Sequence, residues 1–434
     1  MVDLDLTDGG RLGYFWPVTD TVPNLEDDEP LRGWLRRTGR ETLLDVLDED
    51  PIARHGIDLP HFGGLVGVLQ GGSVLLLEVR TTNASVAFGA QASWLRCSSR
   101  TVLEDVDVER LRSNRLRSLR ADFLGIGYWA GMRSTNEDWD YDSDGLVKGF
   151  SLALTSDERL TVPLTKGLQL TLSSEWNVGG TDDRRVITAP VSVTCRATVP
   201  RPTWDLLRPL VQVQDLLNVA YQGSVLATSG AGVADLEPDK RPGTDGSVLW
   251  NSLLMTASPN ARAAAPVKEL PLFSLQAIGG LPGVRRWSNL ATRHPRAVTP
   301  VVGPFRRGFA TADVTVRDVA AAIEYWVKSN RPAAWAMPKQ YAQVLARRLG
   351  TAFSTWVGDP ERWAKEFWSA NNHLKHEPGY EVEDQYLVDL AVSGRYVLLA
   401  SLLNRVAGTR SPGKEIFENH RLSALGERLR IIYA

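Results

Sequence analysis

The sequence predicts an α+β protein: a large N-terminal β-rich domain over residues 1–300, a sandwich or distorted barrel, then an all-α helical bundle over residues 305–434. Three observations predict it. Short apolar runs parted by glycine, asparagine or small polar residues fill the first 300 positions, which is how strands and their turns read. Beyond about residue 310 the apolar residues recur at helical spacing. And 434 residues are too many for one ordinary core, so two or more domains are expected.

Within the β-rich part, strands are expected over Leu65–Leu69, Ser73–Val79, Ala84–Phe88 and Ala92–Cys97, with a hairpin turn at Gln70-Gly71-Gly72. Further candidates are Asp122–Trp129, Phe150–Leu154, Leu168–Ser173, Val186–Val199 and Val248–Met255. Gly180-Thr181-Asp182-Asp183 reads as a turn. One helix interrupts the strands, starting at Pro202-Thr203 and carrying Trp204, Leu207, Val211 and Leu217 at helical spacing. Gly230–Gly246 and Ala257–Pro266 read as long loops, and Pro295–Pro304 as the interdomain linker.

Five helical stretches follow. Val314–Ser329 is closed by Asn330-Arg331-Pro332, and Lys339–Val357 repeats apolar residues from Tyr341 to Trp356. The third starts after Asp359, a good N-cap, with Pro360 at the first helical position, and stops near Glu377 because the next residue is proline. Asp384–Ala407 is apolar almost all round and ends at Gly408; Pro412 opens a last helix to about Arg430. Asp384–Ala407 is long enough to span a bilayer, but Asp389 and Arg395 near its centre would each cost roughly 2.5–3.5 kcal/mol there. A core helix is the better reading, and no membrane partner is expected.

An apolar content of 43% with 23% charged residues belongs to a folded globular chain, and a net charge of −2 exerts no global pull on nucleic acid. Two cysteines, Cys97 and Cys195, argue for a reducing compartment rather than a disulfide framework. The acidic start, Met1-Val2-Asp3-Leu4-Asp5, lacks a signal-peptide pattern, so cytoplasmic residence is expected.

The segment that carries chemistry is Asn371-Asn372-His373-Leu374-Lys375-His376. At 100° per residue, Trp363, Phe367, Ala370 and Leu374 share one stripe, while Lys365, Ser369, Asn372 and His376 lie opposite. Asn372 and His376 are an i, i+4 pair that can touch, whereas Asn371 is off their face. An imidazole titrating near neutrality can take a proton from a 2′-hydroxyl or return one to a leaving oxygen. The competing reading is a histidine that caps the last helical carbonyls.

This segment resembles the arginine-asparagine-three-residues-histidine signature of HEPN ribonucleases, with Asn372 and His376 in place and Asn371 where the arginine stands. The chain as a whole, with Gly13-Tyr14-Phe15-Trp16 and Gly64-Leu65-Val66-Gly67-Val68-Leu69 early and the Asn-x-x-x-His helix late, is similar to ApeA-type anti-phage proteins. The resemblance implies an abortive-infection effector: a metal- and cofactor-independent endoribonuclease, restrained by a β-rich domain that meets a phage-derived trigger. It further implies RNA, such as tRNA or another structured RNA, as partner, 2′,3′-cyclic phosphate products, and a homodimer through the C-terminal domain. The site would comprise His376, Asn371, Asn372 and His373 for catalysis, and Lys375, Lys365 and Arg362 for RNA. Arginine restored at 371 would be expected to raise cleavage. A HEPN-fold binding module that has lost catalysis is the alternative, since Asn371 carries no charge.

Other constellations are set aside. Asp140-Tyr141-Asp142-Ser143-Asp144-Gly145 opens like a calcium loop, but its twelfth position is Ser151, so an acidic turn is favoured. The run Arg110, Arg112, Arg115, Arg117 and Arg120 reads as a solvated helix face rather than an RNA cradle. His55 and His61 have no metal-ligand company, His294 reads as linker surface and His420 as structural.

Overall fold

The computed structural model describes residues 6, 9–18, 28–48, 62–85, 93–155, 159–181, 183–237, 246–257, 270–330, 340–377, 379 and 382–433. The expected strand segment 86–88, the loop segment 258–266, His55 and His61 lie outside them.

The first strands are β1 (Arg11–Val18), β2 (Leu31–Thr38), β3 (Glu41–Asp48), β4 (Gly64–Leu69), β5 (Gly72–Leu77), β6 (Arg80–Ser85), β7 (Ser93–Ser99), β8 (Thr101–Glu104) and β9 (Leu111–Phe123). Then come β10 (Thr135–Tyr141), β11 (Val147–Leu154), β12 (Leu160–Thr165), β13 (Leu168–Ser174), β14 (Asn177–Gly180) and β15 (Arg185–Thr188). The last are β16 (Val191–Arg201), β17 (Ala227–Leu236) and β18 (Ser247–Asn251). Fourteen of them form one antiparallel sheet in the order β12-β13-β16-β9-β17-β18-β8-β5-β4-β1-β2-β3-β7-β6, while β10–β11 and β14–β15 are separate hairpins. In the first half of the sheet, alternate residues such as Phe15, Leu35, Leu44, Leu65, Val74 and Val102 gather into a core of their own. Period-2 alternation dictates this, because every second side chain faces the same way.

The helices are α1 (Ile126–Ala130), α2 (Thr203–Tyr221), α3 (Ser252–Met255), α4 (Gly280–Arg293), α5 (Pro295–Arg307), α6 (Ala312–Ser329), α7 (Tyr341–Leu349) and α8 (Thr351–Val357). The chain finishes with α9 (Pro360–His376), α10 (Asp384–Ala407), α11 (Ser411–Glu418) and α12 (Ser423–Tyr433). The β-rich-then-helical order expected from the sequence is therefore the observed one. Several boundaries differ. Asp122–Trp129 divides between the end of β9 and α1, and Val186–Val199 between β15 and β16. Val248–Met255 turns from β18 into α3, where Asn251 accepts hydrogen bonds from the Leu253 and Leu254 N–H groups. Gly350 at φ 77° separates α7 from α8, and a 3₁₀ turn at His420–Leu422 separates α11 from α12.

Two corrections matter for function. Pro295–Pro304 is helix, not linker: α5 starts on Pro295 and buries Val298, Val301, Val302 and Phe305. Proline at the first helical position costs no hydrogen bond, and the buried apolar stripe outweighs the bonds lost at Pro300 and Pro304. His294 packs there, its Nδ1 3.1 Å from the Tyr325 hydroxyl. From Arg112 on, the arginine run lies on a strand, β9, not a helix, and three of its members face carboxylates. Arg117 lies 3.3 Å from Asp235, Arg112 3.7 Å from Glu237, and Arg120 2.9 Å from Glu175. With carboxylates already beside it, the run offers little free charge to a phosphate backbone. The Asp142 carboxylate accepts from the Asp144 and Leu146 N–H groups in the β10–β11 turn, the acidic turn expected.

The hydrophobic core runs without a break from Leu119 and Val193 of the sheet through α2 into the bundle at Trp363 and Leu398. At the junction, Gln222 just beyond α2 accepts from the Tyr396 hydroxyl at 2.8 Å, and Arg421 donates to the Tyr221 carbonyl at 2.9 Å. Helix α10 is long and apolar enough to cross a membrane by length and composition, yet 78% of its most apolar window is buried inside the protein. Its Asp389 takes a two-pronged hydrogen bond from Arg428 at 2.8 and 2.9 Å, so the buried carboxylate has the partner it requires. Both cysteines are buried, which pushes the Cys97 thiol up to about 11 and that of Cys195 to about 12. Neither is a nucleophile at neutral pH.

Gly394 in α10 fixes how closely the motif helix α9 can approach. A Cβ there would sit 2.5 Å from the ring of Phe367. Mid-helix alanine normally stabilises over glycine by roughly 0.5–1 kcal/mol, but a clash with a buried ring costs about 1–3 kcal/mol. Gly394→Ala is therefore expected to lower the denaturation midpoint; a raised midpoint would show that α9 and α10 are not wedged together.

Candidate active site

Helix α9 is placed by its ends and its buried face. The Asp359 side chain accepts from the Glu361 and Arg362 N–H groups, and Pro360 follows at the first helical position. At the other end the Glu377 N–H closes onto the His373 carbonyl at 2.8 Å. Between them, Trp363 meets Phe353 edge-on at 5.3 Å, stacks with Phe367 at 5.4 Å, and donates its indole N–H to Ser393 of α10 at 2.9 Å. Trp368 packs edge-on against Tyr341 of α7. This aromatic anchoring fixes the helix about its own axis, so the opposite strip must face outward.

That strip is the one the helical phase predicts. Arg362, Lys365, Asn372, Lys375 and His376 are exposed, and His373 is half-buried. The Arg362 guanidinium lies over the Tyr433 ring, 5.8 Å from its centroid, which restrains it without neutralising its charge. His373 Nδ1 is 2.7 Å from Glu377 Oε1. The carboxylate stands beside that ring nitrogen as an ion-pair partner for the protonated imidazole, without the alignment of a hydrogen bond. Glu377 was missed in the sequence, although its i, i+4 spacing from His373 is the signal that would have found it.

Asn371 is the exception. Its side chain is fully buried, and among the described residues neither its amide nitrogen nor its amide oxygen has a hydrogen-bond partner. His373, Lys375 and His376 lie in the last turn of α9, with Asn372 one turn before His376, while the Asn371 side chain is turned into the core. The exposed cation nearest in sequence to His376 is Lys375. Among the described residues, no group of three or more His, Cys, Asp or Glu side chains could hold a metal ion. What the arrangement can do is transfer protons beside a cation.

Comparison with curated proteins and with solved structures found no match. The family model for ApeA N-terminal domain 1 matches residues 10–284, from the start of β1 into α4. That span is more than half of the 434 residues and takes in the whole fourteen-stranded sheet. The chain belongs to the ApeA N-terminal domain 1 family.

Proposed function

We propose that this protein is a cytoplasmic anti-phage defence effector that cuts RNA at the exposed end of α9. Family membership supports the defence role. The observation that carries the nuclease reading is the juxtaposition of His376, exposed beside Asn372, with His373, whose ring is backed by Glu377. One imidazole takes the 2′-hydroxyl proton, the freed oxygen attacks the adjacent phosphorus, and the other imidazole protonates the departing 5′-oxygen. The product ends are then a 2′,3′-cyclic phosphate and a 5′-hydroxyl. Lys375, Lys365 and Arg362 supply charge for the phosphate backbone.

The two histidines act either within one chain or between two copies whose α9 helices meet near a two-fold axis. We propose the homodimer, in which His376 of each copy completes the other's site. Light scattering on the full chain should give twice the chain mass at micromolar concentration; a monomer that still cleaves would assign both proton transfers to one chain. A non-catalytic binding role is the second reading, favoured by the burial of Asn371, which leaves no charged residue in the arginine's place.

Phage challenge tests the defence reading. Cells producing the protein should form at least tenfold fewer plaques than cells producing His376→Ala at equal protein levels. Equal protection by both would remove the catalytic role of His376 and leave the binding module.

A further inference from the structure

A cavity of about 620 Å³ lies where the first half of the sheet meets α2 and α5, far in sequence from the α9 histidines. Four arginines line it: Arg40 from the β2–β3 turn, Arg100 from the β7–β8 turn, and Arg306 and Arg307 from the last turn of α5. Two have carboxylate partners. Arg306 Nε lies 2.6 Å from Asp215 and Arg100 lies 3.7 Å from Glu41. Arg40 and Arg307 are exposed, and among the described residues neither has a hydrogen-bond or ion-pair partner. Among the described residues, the cavity therefore holds an excess of two positive charges.

Its remaining wall is organised rather than loose. Gln214, 2% exposed, donates to the carbonyls of Val225 and Leu254 and accepts from Arg306. Asn218, 3% exposed, accepts from the Val225 N–H. Arg306 is fixed further by the Val211 carbonyl at 2.8 Å. Arg306 is thereby already ordered and loses little freedom when a ligand enters beside it. Val225 and Val302 give the same wall an apolar patch. A volume in the range of small-molecule sites, with an apolar patch and two exposed arginines that no described residue neutralises, matches a compact ligand with an anionic end and a flat body that packs on an apolar wall.

We propose that this cavity binds a nucleoside diphosphate, its phosphates on Arg40 and Arg307 and its nucleoside against the α2 wall. Such a ligand ties the β2–β3 turn to the end of α5, and so joins the first half of the sheet to the helical part. The inference does not depend on RNA cleavage.

Titration calorimetry on the full chain tests it, with ADP, GDP, CDP, UDP and inorganic pyrophosphate as probes. At least one of the four nucleotides is expected to bind once per chain with micromolar affinity, and pyrophosphate at least tenfold more weakly. Arg40→Ala and Arg307→Ala, both at exposed positions, should each weaken that binding about tenfold or more. Arg159→Ala, exposed and outside the cavity, should leave it unchanged. Failure of all five probes to bind more tightly than ~1 mM, or unchanged affinity in both cavity variants, overturns the site. Pyrophosphate binding as tightly as the nucleotides overturns the nucleoside assignment.

Discussion

Asn371→Arg is expected to destabilise the protein by roughly 3 kcal/mol or more, the scale on which an unpartnered charge is penalised in a core. The position is fully buried and the amide already lacks partners, so a longer, charged side chain finds neither space nor a counter-ion. The resemblance to the HEPN signature implied the opposite, a gain in cleavage. The phase of α9 decides between them, because the aromatic anchor of Trp363, Phe353 and Phe367 holds residue 371 inward. The companion variant Asn371→Leu should raise stability by about 1–3 kcal/mol, the usual penalty of a buried unsatisfied amide. Urea denaturation of both variants reads the pair. An Asn371→Arg protein with an unchanged midpoint would mean that residue 371 reaches solvent and that the site must be rebuilt around it.

The second large effect is on activity. His376→Ala should lower RNA cleavage by about 10²–10⁴-fold, the range for loss of a positioned proton carrier. Its stability should change by no more than about 0.5 kcal/mol, since the side chain is exposed at a helix end. His373→Ala should fall in the same range, and Glu377→Gln by less, because it removes only the carboxylate that stabilises the imidazolium. Equal losses from the two histidine variants at unchanged stability fit a single proton-transfer unit. Full cleavage by His373→Ala would remove His373 from the chemistry and assign both transfers to the two copies of His376.

The ends of the motif helix were legible because capping chemistry is local: Asp359, Pro360 and the proline after Glu377 mark α9 without reference to anything distant. The same holds for α10, bounded by Asp384 and Gly408. Helical phase also placed His376 outward and Trp363 inward. It separated Asn371 from His376, but it did not put an asparagine in the core, because nothing in its residue type favours burial without a partner. Helix α5 was hidden by its three prolines, whose cost is offset only by packing that a sequence does not display. Strand β9 was hidden for a related reason. Its arginines lose their charge excess to Asp235, Glu237 and Glu175, which are brought alongside by strands and loops remote in sequence. Glu377 lay within reach of helical spacing; the arginine-lined cavity did not, since its four arginines come from three separate places along the chain.

The most direct measurement of the central claim is the chemistry of RNA ends left by the 434-residue chain in EDTA. Purified protein incubated with total RNA should produce fragments ending in 2′,3′-cyclic phosphate and 5′-hydroxyl groups, and the His376→Ala protein should leave the RNA intact. Intact RNA with stoichiometric wild-type protein, or the same fragments from His376→Ala, would contradict an RNA-cleaving site at the end of α9.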